Sequence, residues 1–390
     1  MNIIFFSHPL FLEHQSMPRF ANMLSEGMKQ RGHEVEVWYP LAQAVKFYPS
    51  GKIGKWLGYF DQYILFPRTV KKRLKSVHKD SLFVFTDHAL GPWVPLVADS
   101  PHVIHCHDFL AQKSAIDQIP EHKTGFTGKL YQKMIRKGFS KGKNFISVSQ
   151  KTKEDLHHFL DTEPIMSKVI YNGLNGTFGP QDPVEVRKAL ELEWGTILDK
   201  GYILHVGGNQ WYKNRKGVIE IYDAWRSKYG YALPLLLIGH SPDEVLRKAH
   251  TESSFKNDIH FLTGVSDKTV RQAYAGATLL LFPSLAEGFG WPIAEAMASG
   301  CPVIVTNETP MLEVANEAGF YIPKRPHGKN VEKWADEACK VVNNVVMLNE
   351  RKRKEAIGLG LANAQRFDQR IALDFIEQAY FDVIDKTKMQ

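Results

Sequence analysis

Short apolar runs alternate with longer amphipathic segments along almost the whole chain. The runs are rich in β-branched and aromatic residues, as buried strands are, whereas the longer segments have the 3.6-residue period of helices. The predicted strands lie near residues 3–6, 35–38, 82–86, 103–107, 145–149 and 169–171, and then near 203–206, 235–239, 259–263, 279–283, 303–306 and 320–322. This alternation predicts βαβ units and two parallel sheets of six strands each.

The stretch 173–183 is dense in Gly, Asn and Pro and lacks periodicity, so we interpret it as a linker. The 390 residues are enough for two domains. We predict an N-terminal domain over 1–172, a C-terminal domain over 184–366 and a last helix over 367–390. The expected fold class is α/β, with two Rossmann-like, doubly wound domains facing across a cleft. Such sheets bind ligands at the carboxyl ends of their strands, so we expect the site in that cleft.

The segment from Pro283 to Pro302 combines a turn-rich loop with the start and stop signals of a short helix. Pro292 suits the first helical position, because its missing N–H would have no partner there. Gly300 suits a left-handed helix end, and Pro302 prevents continuation. The pattern predicts a strand, a glycine-rich loop, a short helix and another strand.

This loop and helix form a candidate binding site for an anionic sugar derivative. The backbone N–H groups within residues 289–293, where only Pro292 lacks one, and the positive end of the helix dipole are expected to point at the ligand. Gly288 and Gly290 allow the backbone to approach it closely. The carboxylates of Glu287 and Glu295 can accept hydrogen bonds from sugar and ribose hydroxyls.

Charge is distributed unevenly along the chain. The net charge is +7, and residues 1–170 hold 23 Lys and Arg against 15 Asp and Glu. This excess suggests an anionic partner for the N-terminal half, whether a membrane surface, a phosphate-bearing acceptor or nucleic acid. The segment 56–75 mixes aromatic and basic residues and fits either an interfacial helix or a core helix of the domain.

Other features indicate a soluble, cytoplasmic protein. No apolar run approaches the roughly 20 residues of a membrane span, and the first residues lack the basic region of a signal peptide. Cys106, Cys301 and Cys339 are odd in number and form no metal-binding or disulfide pattern. A location on the inner face of the cell membrane, as a peripheral protein, is the alternative.

The segment 287–304 resembles a motif of the family 4 retaining glycosyltransferases, which have the GT-B fold. It reads Glu-Gly-Phe-Gly-x-Pro-x-x-Glu-Ala-Met-Ala-x-Gly-x-Pro-Val-Ile, with two Glu separated by seven residues. Further matches extend along almost the whole chain: Arg31-Gly32-His33-Glu34-Val35, His105-Cys106-His107-Asp108, Val206-Gly207-Gly208, Arg215-Lys216-Gly217, and the late aromatics Phe367 and Tyr380.

The resemblance implies transfer of a hexosyl unit from a UDP- or GDP-linked sugar, with retention at the anomeric carbon. The acceptor would be a glycan, a lipid-linked molecule or a small molecule, in cell-surface polysaccharide synthesis. No cofactor and no obligatory metal are implied. The last helix of such proteins usually crosses back to the N-terminal domain.

The same resemblance assigns residues to the donor and to the reacting sugar. Glu287 would contact sugar hydroxyls and Glu295 the ribose, and His107 would lie by the reacting sugar with Asp108 in its vicinity. The remaining donor-binding residues are Arg215 and Lys216 for the diphosphate, and Gly288, Phe289, Gly290 and Trp291 for the sugar and diphosphate. We expect His105 on the opposite face of its strand from His107, in a structural role.

Two segments depart from the family pattern. Many members have a Gly-Gly pair after the first strand, where this chain has Ser16 and Met17, which are our candidates for the N-terminal contribution to the phosphate site. The loop 209–216 is longer than the common form, so Lys213 is an alternative to Arg215 for the phosphate role.

Three other functions remain open from the sequence. A nucleotide-sugar epimerase or a hydrolase of the same fold would use similar residues. A nucleic-acid-binding protein would fit the calculated pI near 9.0, although no recognition helix or RNA-binding signature accompanies the charge.

Overall fold

The computed structural model describes residues 1–12, 16–174 and 176–388. The chain divides into two compact units. Residues Met1–Tyr171 and the chain from Arg370 onward form the N-terminal unit, and Asn172–Gln369 form the C-terminal unit. Among the described residues, no helix is long and apolar enough to cross a membrane.

The N-terminal unit has a parallel sheet covered by helices. Its strands are β1 (Asn2–Phe6), β2 (Glu34–Trp38), β3 (Leu82–Phe85), β4 (His102–Cys106), β5 (Asn144–Ser147) and β6 (Met166–Val169). Its helices in chain order are α1 (Ser16–Gln30), α2 (Gly51–Phe60), α3 (Phe66–Arg73), α4 (Leu110–Ala115), α5 (Phe126–Phe139) and α6 (Gln150–Phe159). In the strand order β2-β1-β3-β4-β5-β6, β2 lies on one side of β1 and the later strands lie on the other side. The switch point of this sheet is therefore between β1 and β3.

The C-terminal unit repeats this architecture. Its strands are β7 (Ile203–Val206), β8 (Leu235–Ile238), β9 (Ile259–Leu262), β10 (Leu279–Phe282), β11 (Val303–Thr306) and β12 (Gly319–Ile322). Its helices are α7 (Pro183–Trp194), α8 (Arg215–Tyr229), α9 (Glu244–Glu252), α10 (Asp267–Gly276), α11 (Trp291–Ala298), α12 (Met311–Ala315), α13 (Val331–Val346) and α14 (Glu350–Ala364). The order β12-β11-β10-β7-β8-β9 is the Rossmann order, with its switch point between β7 and β10.

All strand pairs in both sheets are parallel, as the alternating pattern predicts. The sixth strand is an exception to the predicted boundaries, because it begins at Met166 where 169–171 was predicted. It lies at the edge of its sheet and includes Ser167 and Lys168, so the apolar run that usually marks a buried strand is absent there.

The helix at the end of the chain, α15 (Gln369–Lys388), packs on the N-terminal sheet. Its side chains Leu373, Ile376 and Tyr380 are buried in one cluster with Ile3 and Phe5 of β1. Acidic residues of this helix also pair with basic residues of the N-terminal unit: Asp374 with Arg31 at 2.5 Å, Glu377 with His33 at 2.6 Å and Asp382 with Lys168 at 2.6 Å. Apolar burial and charge therefore fix α15 to this sheet.

Candidate functional site

The strand, glycine-rich loop and short helix predicted from the motif are present in the C-terminal unit. β10 ends at Phe282, and α11 begins at Trp291, one residue before the predicted start at Pro292. Gly290 precedes the helix with a φ of 105°, which only glycine adopts readily. At the other end Gly300 has a φ of 77°, and the N–H of Cys301 donates to the carbonyl of Ala296, as in a Schellman end.

Glu287, in the loop before α11, is held by two donors. Its carboxylate accepts from Nζ of Lys213 at 2.8 and 3.0 Å and from the hydroxyl of Ser284 at 2.6 Å. The side chains of Glu287 and Lys213 are only 7 and 16% exposed. The partial burial and the two donors give this carboxylate a defined orientation.

The loop between β7 and α8 brings Lys213 to that position. A 3-10 turn over Trp211–Lys213 is followed by Asn214 in the left-handed conformation, with a φ of 51°. The side chain of Asn214 accepts from the N–H of Gly217 at 3.3 Å and donates to the carbonyl of Pro283 at 2.8 Å. Asn214 therefore caps α8 and also ties its loop to the loop that follows β10.

A second set of contacts joins the same two loops. The carbonyl of Tyr212 accepts from the N–H of Leu285 at 2.7 Å and lies 2.8 Å from the Ser284 hydroxyl, which is fully buried. Because β7 and β10 are neighbours at the switch point of the sheet, their following loops meet at its carboxyl edge.

The other two basic residues of this loop have different environments. Arg215 is buried, and its Nη1 donates to Oδ1 of Asn209 at 2.5 Å and to the carbonyl of His240 at 2.8 Å. Burial lowers the pKa of Arg215 to about 10, so the guanidinium stays charged near neutral pH. Lys216 is half-exposed and pairs with Glu220 at 3.4 Å. The structure thus brings Lys213, and not Arg215 or Lys216, into contact with Glu287.

Glu295 lies in the middle of α11 and has a buried partner. The hydroxyl of Tyr274, at the end of α10, donates to Oε2 of Glu295 at 2.8 Å. Burial raises the pKa of Tyr274 well above its usual value, so this hydroxyl remains a donor throughout the physiological range. The hydrogen bond fixes one oxygen of the Glu295 carboxylate.

The glycine-rich loop between these glutamates offers backbone groups. Phe289 is buried, with its ring edge-on to Trp291 at 5.6 Å and to Phe367 at 5.3 Å. Its side chain is therefore part of the core, and a contact from Phe289 to a ligand would come from its N–H. Gly288 is half-buried and Gly290 is buried.

In the N-terminal unit, His107 follows β4 at the carboxyl edge of the sheet. Its Nε2 donates to the carbonyl of Thr86 at 2.9 Å, which leaves Nδ1 with the lone pair of the neutral ring. Burial lowers the pKa of His107 below the usual 6.5, so the ring is neutral at pH 7. Asp108 accepts from the N–H of Leu110 at 3.0 Å and begins the turn into α4.

The prediction that His105 and His107 point to opposite faces of the strand is wrong. Both rings contact Phe20 of α1, with centroids 5.3 and 4.5 Å away, because residues two apart in a strand lie on the same face. His105 is fully buried and lies 2.8 Å from the hydroxyl of Tyr380. Burial lowers the pKa of His105 to about 3, so the ring stays neutral where it packs against α15.

The candidates after β1 are only partly described. Ser16 and Met17 are the first two residues of α1, and Met17 is half-buried. The side chain of Ser16 and residues 13–15 lie outside the described part of the chain.

Sequence reasoning missed a buried cluster at this edge of the N-terminal sheet. Asp87, two residues after the end of β3, lies 2.8 Å from Nε2 of His8 and 3.0 Å from Nδ1 of His88. Burial opposes ionisation of Asp87, but the neighbouring His88 and the hydrogen bond with His8 hold the pKa of Asp87 well below the usual range. Finding this cluster from sequence requires knowing that β1 and β3 are neighbours, which the strand pattern alone does not give.

Comparisons with known proteins identify both halves of the chain. The profile described as Glycosyltransferase Family 4 matches residues 17–177, and the one described as Glycosyl transferases group 1 matches 200–344. O-antigen chain mannosyltransferase B of Escherichia coli is 26% identical over 206 residues, which are 52% of this chain and 53% of that protein. O-antigen chain mannosyltransferase RfbU of Salmonella typhimurium is 25% identical over 248 residues, 62% of this chain and 65% of that protein. The chain thus matches between about half and two thirds of the length of these relatives.

Solved structures share the fold over nearly the whole chain at low sequence identity. Sucrose-phosphate synthase from Thermosynechococcus elongatus has a TM-score of 0.73 and 16% identity, covering 99% of this chain and 100% of that one. WaaG, a glycosyltransferase of lipopolysaccharide biosynthesis, has a TM-score of 0.70 and 16% identity, with 96 and 98% coverage. Anabaena HepE, solved with UDP, has a TM-score of 0.67 and 17% identity, with 97 and 99% coverage. This chain therefore has the GT-B fold and belongs to glycosyltransferase family 4, the group 1 glycosyl transferases.

Proposed function

We propose that this protein transfers a hexosyl unit, with retention, from a nucleoside diphosphate sugar to a glycan, lipid-linked or small-molecule acceptor in cell-surface polysaccharide synthesis. The observation that carries the proposal is the Glu287 carboxylate, held by Lys213 and Ser284 at the switch point of the C-terminal sheet. A carboxylate, a cation and a helix N-terminus at one sheet edge suit a ligand that has both hydroxyls and phosphates.

Lys213 takes the phosphate role in this proposal, in place of Arg215 and Lys216. Its ammonium group has three N–H donors, so it can keep a contact with Glu287 while it donates to a phosphate oxygen. The guanidinium of Arg215 is already used by Asn209 and the carbonyl of His240. Arg215 then supports the loop from within the unit.

The remaining donor contacts follow from the positions of the hydrogen-bonding groups. Glu287 accepts from hydroxyls of the transferred sugar, and Glu295, oriented by Tyr274, accepts from the ribose. The N–H groups near Phe289, Gly290 and Trp291 and the α11 dipole face the negative charge of the donor. His107, neutral with its lone pair on Nδ1, is our proposed catalytic group from the N-terminal unit, with Asp108 beside it in sequence.

Charge development explains how such a site would accelerate transfer. The sugar–phosphate bond breaks, and the nucleoside diphosphate leaves with more negative charge than it had in the bound donor. A cation at that place stabilises the transition state more than the ground state and so lowers the barrier. Lys213 would therefore raise kcat as well as donor affinity.

The curated relatives suggest which donor to test first. They are O-antigen mannosyltransferases, so GDP-mannose is the first donor to test. UDP-linked hexoses are tested next, because HepE was solved with UDP.

The three cysteines are free and buried. We propose a cytoplasmic location, in peripheral contact with the inner face of the membrane where a lipid-linked acceptor would be found.

The test is incubation of the purified protein with radiolabelled GDP-mannose, UDP-glucose or UDP-N-acetylglucosamine, with and without lipid-linked oligosaccharide acceptors. Label transferred to an acceptor, with retained anomeric configuration, and lost in Glu287→Gln would support the proposal. Acceptor-independent formation of an epimeric nucleotide sugar, or of free sugar only, would replace it by the epimerase or the hydrolase. Salt-dependent retention on DNA without nucleotide-sugar binding would favour a nucleic-acid-binding protein.

A further inference from the structure

Two helices of the N-terminal unit leave apolar side chains uncovered. On α2, Ile53, Trp56 and Phe60 are 62, 66 and 44% exposed, and on α5, Phe126 and Leu130 are 76 and 53% exposed. The spacing of three or four residues places these side chains on one stripe of each helix. Exposed apolar residues that recur with helical spacing mark an interaction surface more than the scattered apolar residues of ordinary surfaces do.

Tyrosines connect the two helices. The ring of Tyr59 on α2 stacks on Tyr131 of α5, with centroids 5.6 Å apart, and Trp56 packs edge-on to Tyr59 at 5.8 Å. The hydroxyl of Tyr63, which follows α2, lies 2.7 Å from that of Tyr131. The helices are thus neighbours, and we call their exposed stripes together with residues 46–48 the α2–α5 face.

The segment 46–48 is fixed beside α2 by a buried carboxylate. Asp61 accepts hydrogen bonds at 2.8 to 3.1 Å from the backbone N–H groups of residues 43–45. Directly after these residues, Phe47 and Tyr48 are 71 and 61% exposed. The contacts of Asp61 therefore fix a segment that exposes two further aromatic rings to solvent.

The charge of the α2–α5 face is predominantly positive, although the exposed Asp117 pairs with Lys129 of α5 at 2.6 Å. Neither helix contains Asp or Glu. Its exposed bases are Lys46, Lys52, Lys55, Lys133 and Lys137. On α5, Lys133 and Lys137 lie three and seven residues after Leu130, in the same stripe as the apolar side chains. Long lysine side chains can follow apolar surface and keep their ammonium groups at a charged boundary.

We propose that the α2–α5 face docks on an anionic lipid membrane. The aromatic and aliphatic side chains enter the boundary between headgroups and acyl chains, and the lysines contact the lipid phosphates. A symmetric dimer through this face would bring lysine against lysine, so the charge favours lipid over a second copy. The inference does not rest on the chemistry proposed for the C-terminal unit.

Vesicle sedimentation of the full chain tests this docking without any donor or acceptor. The vesicles are pure phosphatidylcholine, or equal parts phosphatidylcholine and phosphatidylglycerol, at low and at high salt. Two variants alter the face: K52E/K55E/K133E/K137E reverses its charge, and W56S/F126S removes its two most exposed rings on the helices. R351E/K352E on α14 and L192S at the end of α7 are matched controls, because they change exposed bases and an exposed apolar residue of the C-terminal unit.

The expected result is binding to the anionic vesicles, weakened about tenfold or more by high salt and by each face variant. Both controls should bind like the unaltered protein. All substituted residues are exposed, so melting temperatures should stay unchanged and show that the variants are folded. Equal binding to neutral vesicles, or unchanged binding of both face variants, would overturn the proposal. The proposal would also be overturned if light scattering showed that the unaltered protein is a dimer and that the W56S/F126S variant is a monomer. Vesicle binding by a protein without transferase activity would leave this inference standing while the proposed function fails.

Discussion

At the scale of single residues, three cations within four positions have three different environments. Lys213 contacts Glu287, Arg215 is enclosed by backbone carbonyls, and Lys216 lies on the surface of α8. The sequence motif favours Arg215 and Lys216 because it supplies only residue types and spacing. The left-handed turn at Asn214 decides which side chain faces the loop of Glu287, and that conformation cannot be inferred from a charge pattern.

Replacing Lys213 by Ala should reduce kcat/KM for the donor about ten- to a hundredfold, the equivalent of roughly 1.5–3 kcal/mol for a charge-assisted contact. Lys216→Ala is the matched control and should stay within about twofold, since its partner Glu220 also binds Arg325. The measurement is donor kinetics of both variants at one salt concentration. Near-normal kinetics of Lys213→Ala together with a large loss in Lys216→Ala would mean that Lys216, and not Lys213, binds the diphosphate.

Tyr274→Phe should weaken binding of the free nucleoside diphosphate about two- to tenfold, because the hydrogen bond that orients the Glu295 carboxylate is lost. A hydrogen bond to a charged group contributes about 1.5–3 kcal/mol, and only part of this loss is expected in ligand affinity because Tyr274 acts through Glu295. Tyr222→Phe is the control, since that buried hydroxyl donates to the carbonyl of Leu233, away from Glu295. Isothermal titration of both variants with UDP and GDP distinguishes them. Equal affinities would mean that Tyr274 has a structural role only.

The pH dependence of transfer should reflect His107. Burial lowers its pKa, and its neutral form is the one proposed to act, so activity is lost as pH falls through the lowered pKa. The acidic limb of kcat/KM should therefore lie below pH 6.5, the usual value of a free imidazole. An acidic limb above 6.5, or one that is unchanged in His107→Ala, would assign the titration to another group.

At the scale of elements, the strand–loop–helix unit around the motif was the most predictable part of the site. Glycine and proline restrict the backbone regardless of tertiary context, so they mark the ends of α11 to within one residue. The edge strand β6 was the least predictable, because exposure replaces its apolar pattern with polar residues. Contacts between loops, such as that of Asn214 with Pro283, depend on sheet order and lay beyond the sequence.

Gly290→Ala should destabilise the C-terminal unit by about 1–3 kcal/mol, because the residue has a φ of 105° and an added Cβ would lie 3.0 Å from Cδ1 of Ile293. Gly358→Ala in α14 is the control, with nothing within 4 Å of the added atom. There the substitution should stabilise by roughly 0.4–1 kcal/mol. Denaturant unfolding of both variants gives the comparison, and equal midpoints would show that the loop relaxes without strain.

At the scale of the whole molecule, the alternating pattern predicted two parallel sheets of six strands, and both are present. Period and run length carry this information because the inner strands of both sheets are buried on both faces. The order of the strands is set by packing between residues far apart in sequence. For that reason the clusters that depend on neighbouring strand ends, such as Asp87 with His8, were not predicted.

Truncation after Gln369 should unfold the N-terminal unit and leave the C-terminal unit folded. The deletion removes five large side chains that are buried in the N-terminal core: Leu373, Ile376, Tyr380, Val383 and Ile384. At roughly 1.5–3 kcal/mol each, their loss approaches or exceeds the usual 5–15 kcal/mol of domain stability. Limited proteolysis should cleave within residues 1–171 and spare 172–369. Equal protection of both units would contradict the assignment of α15 to the N-terminal core.

The position of α15 also has a consequence for synthesis on the ribosome. The first 171 residues emerge before the segment that completes their core, and the whole C-terminal unit is translated in between. At about 5–20 residues per second, this delay is roughly 10–40 s. During that time the apolar groove that α15 will fill, lined by Ile3, Phe5 and Leu24, has no covering helix. We therefore expect holding chaperones to bind the nascent N-terminal unit until α15 is made. The C-terminal unit, although made later, can finish folding first.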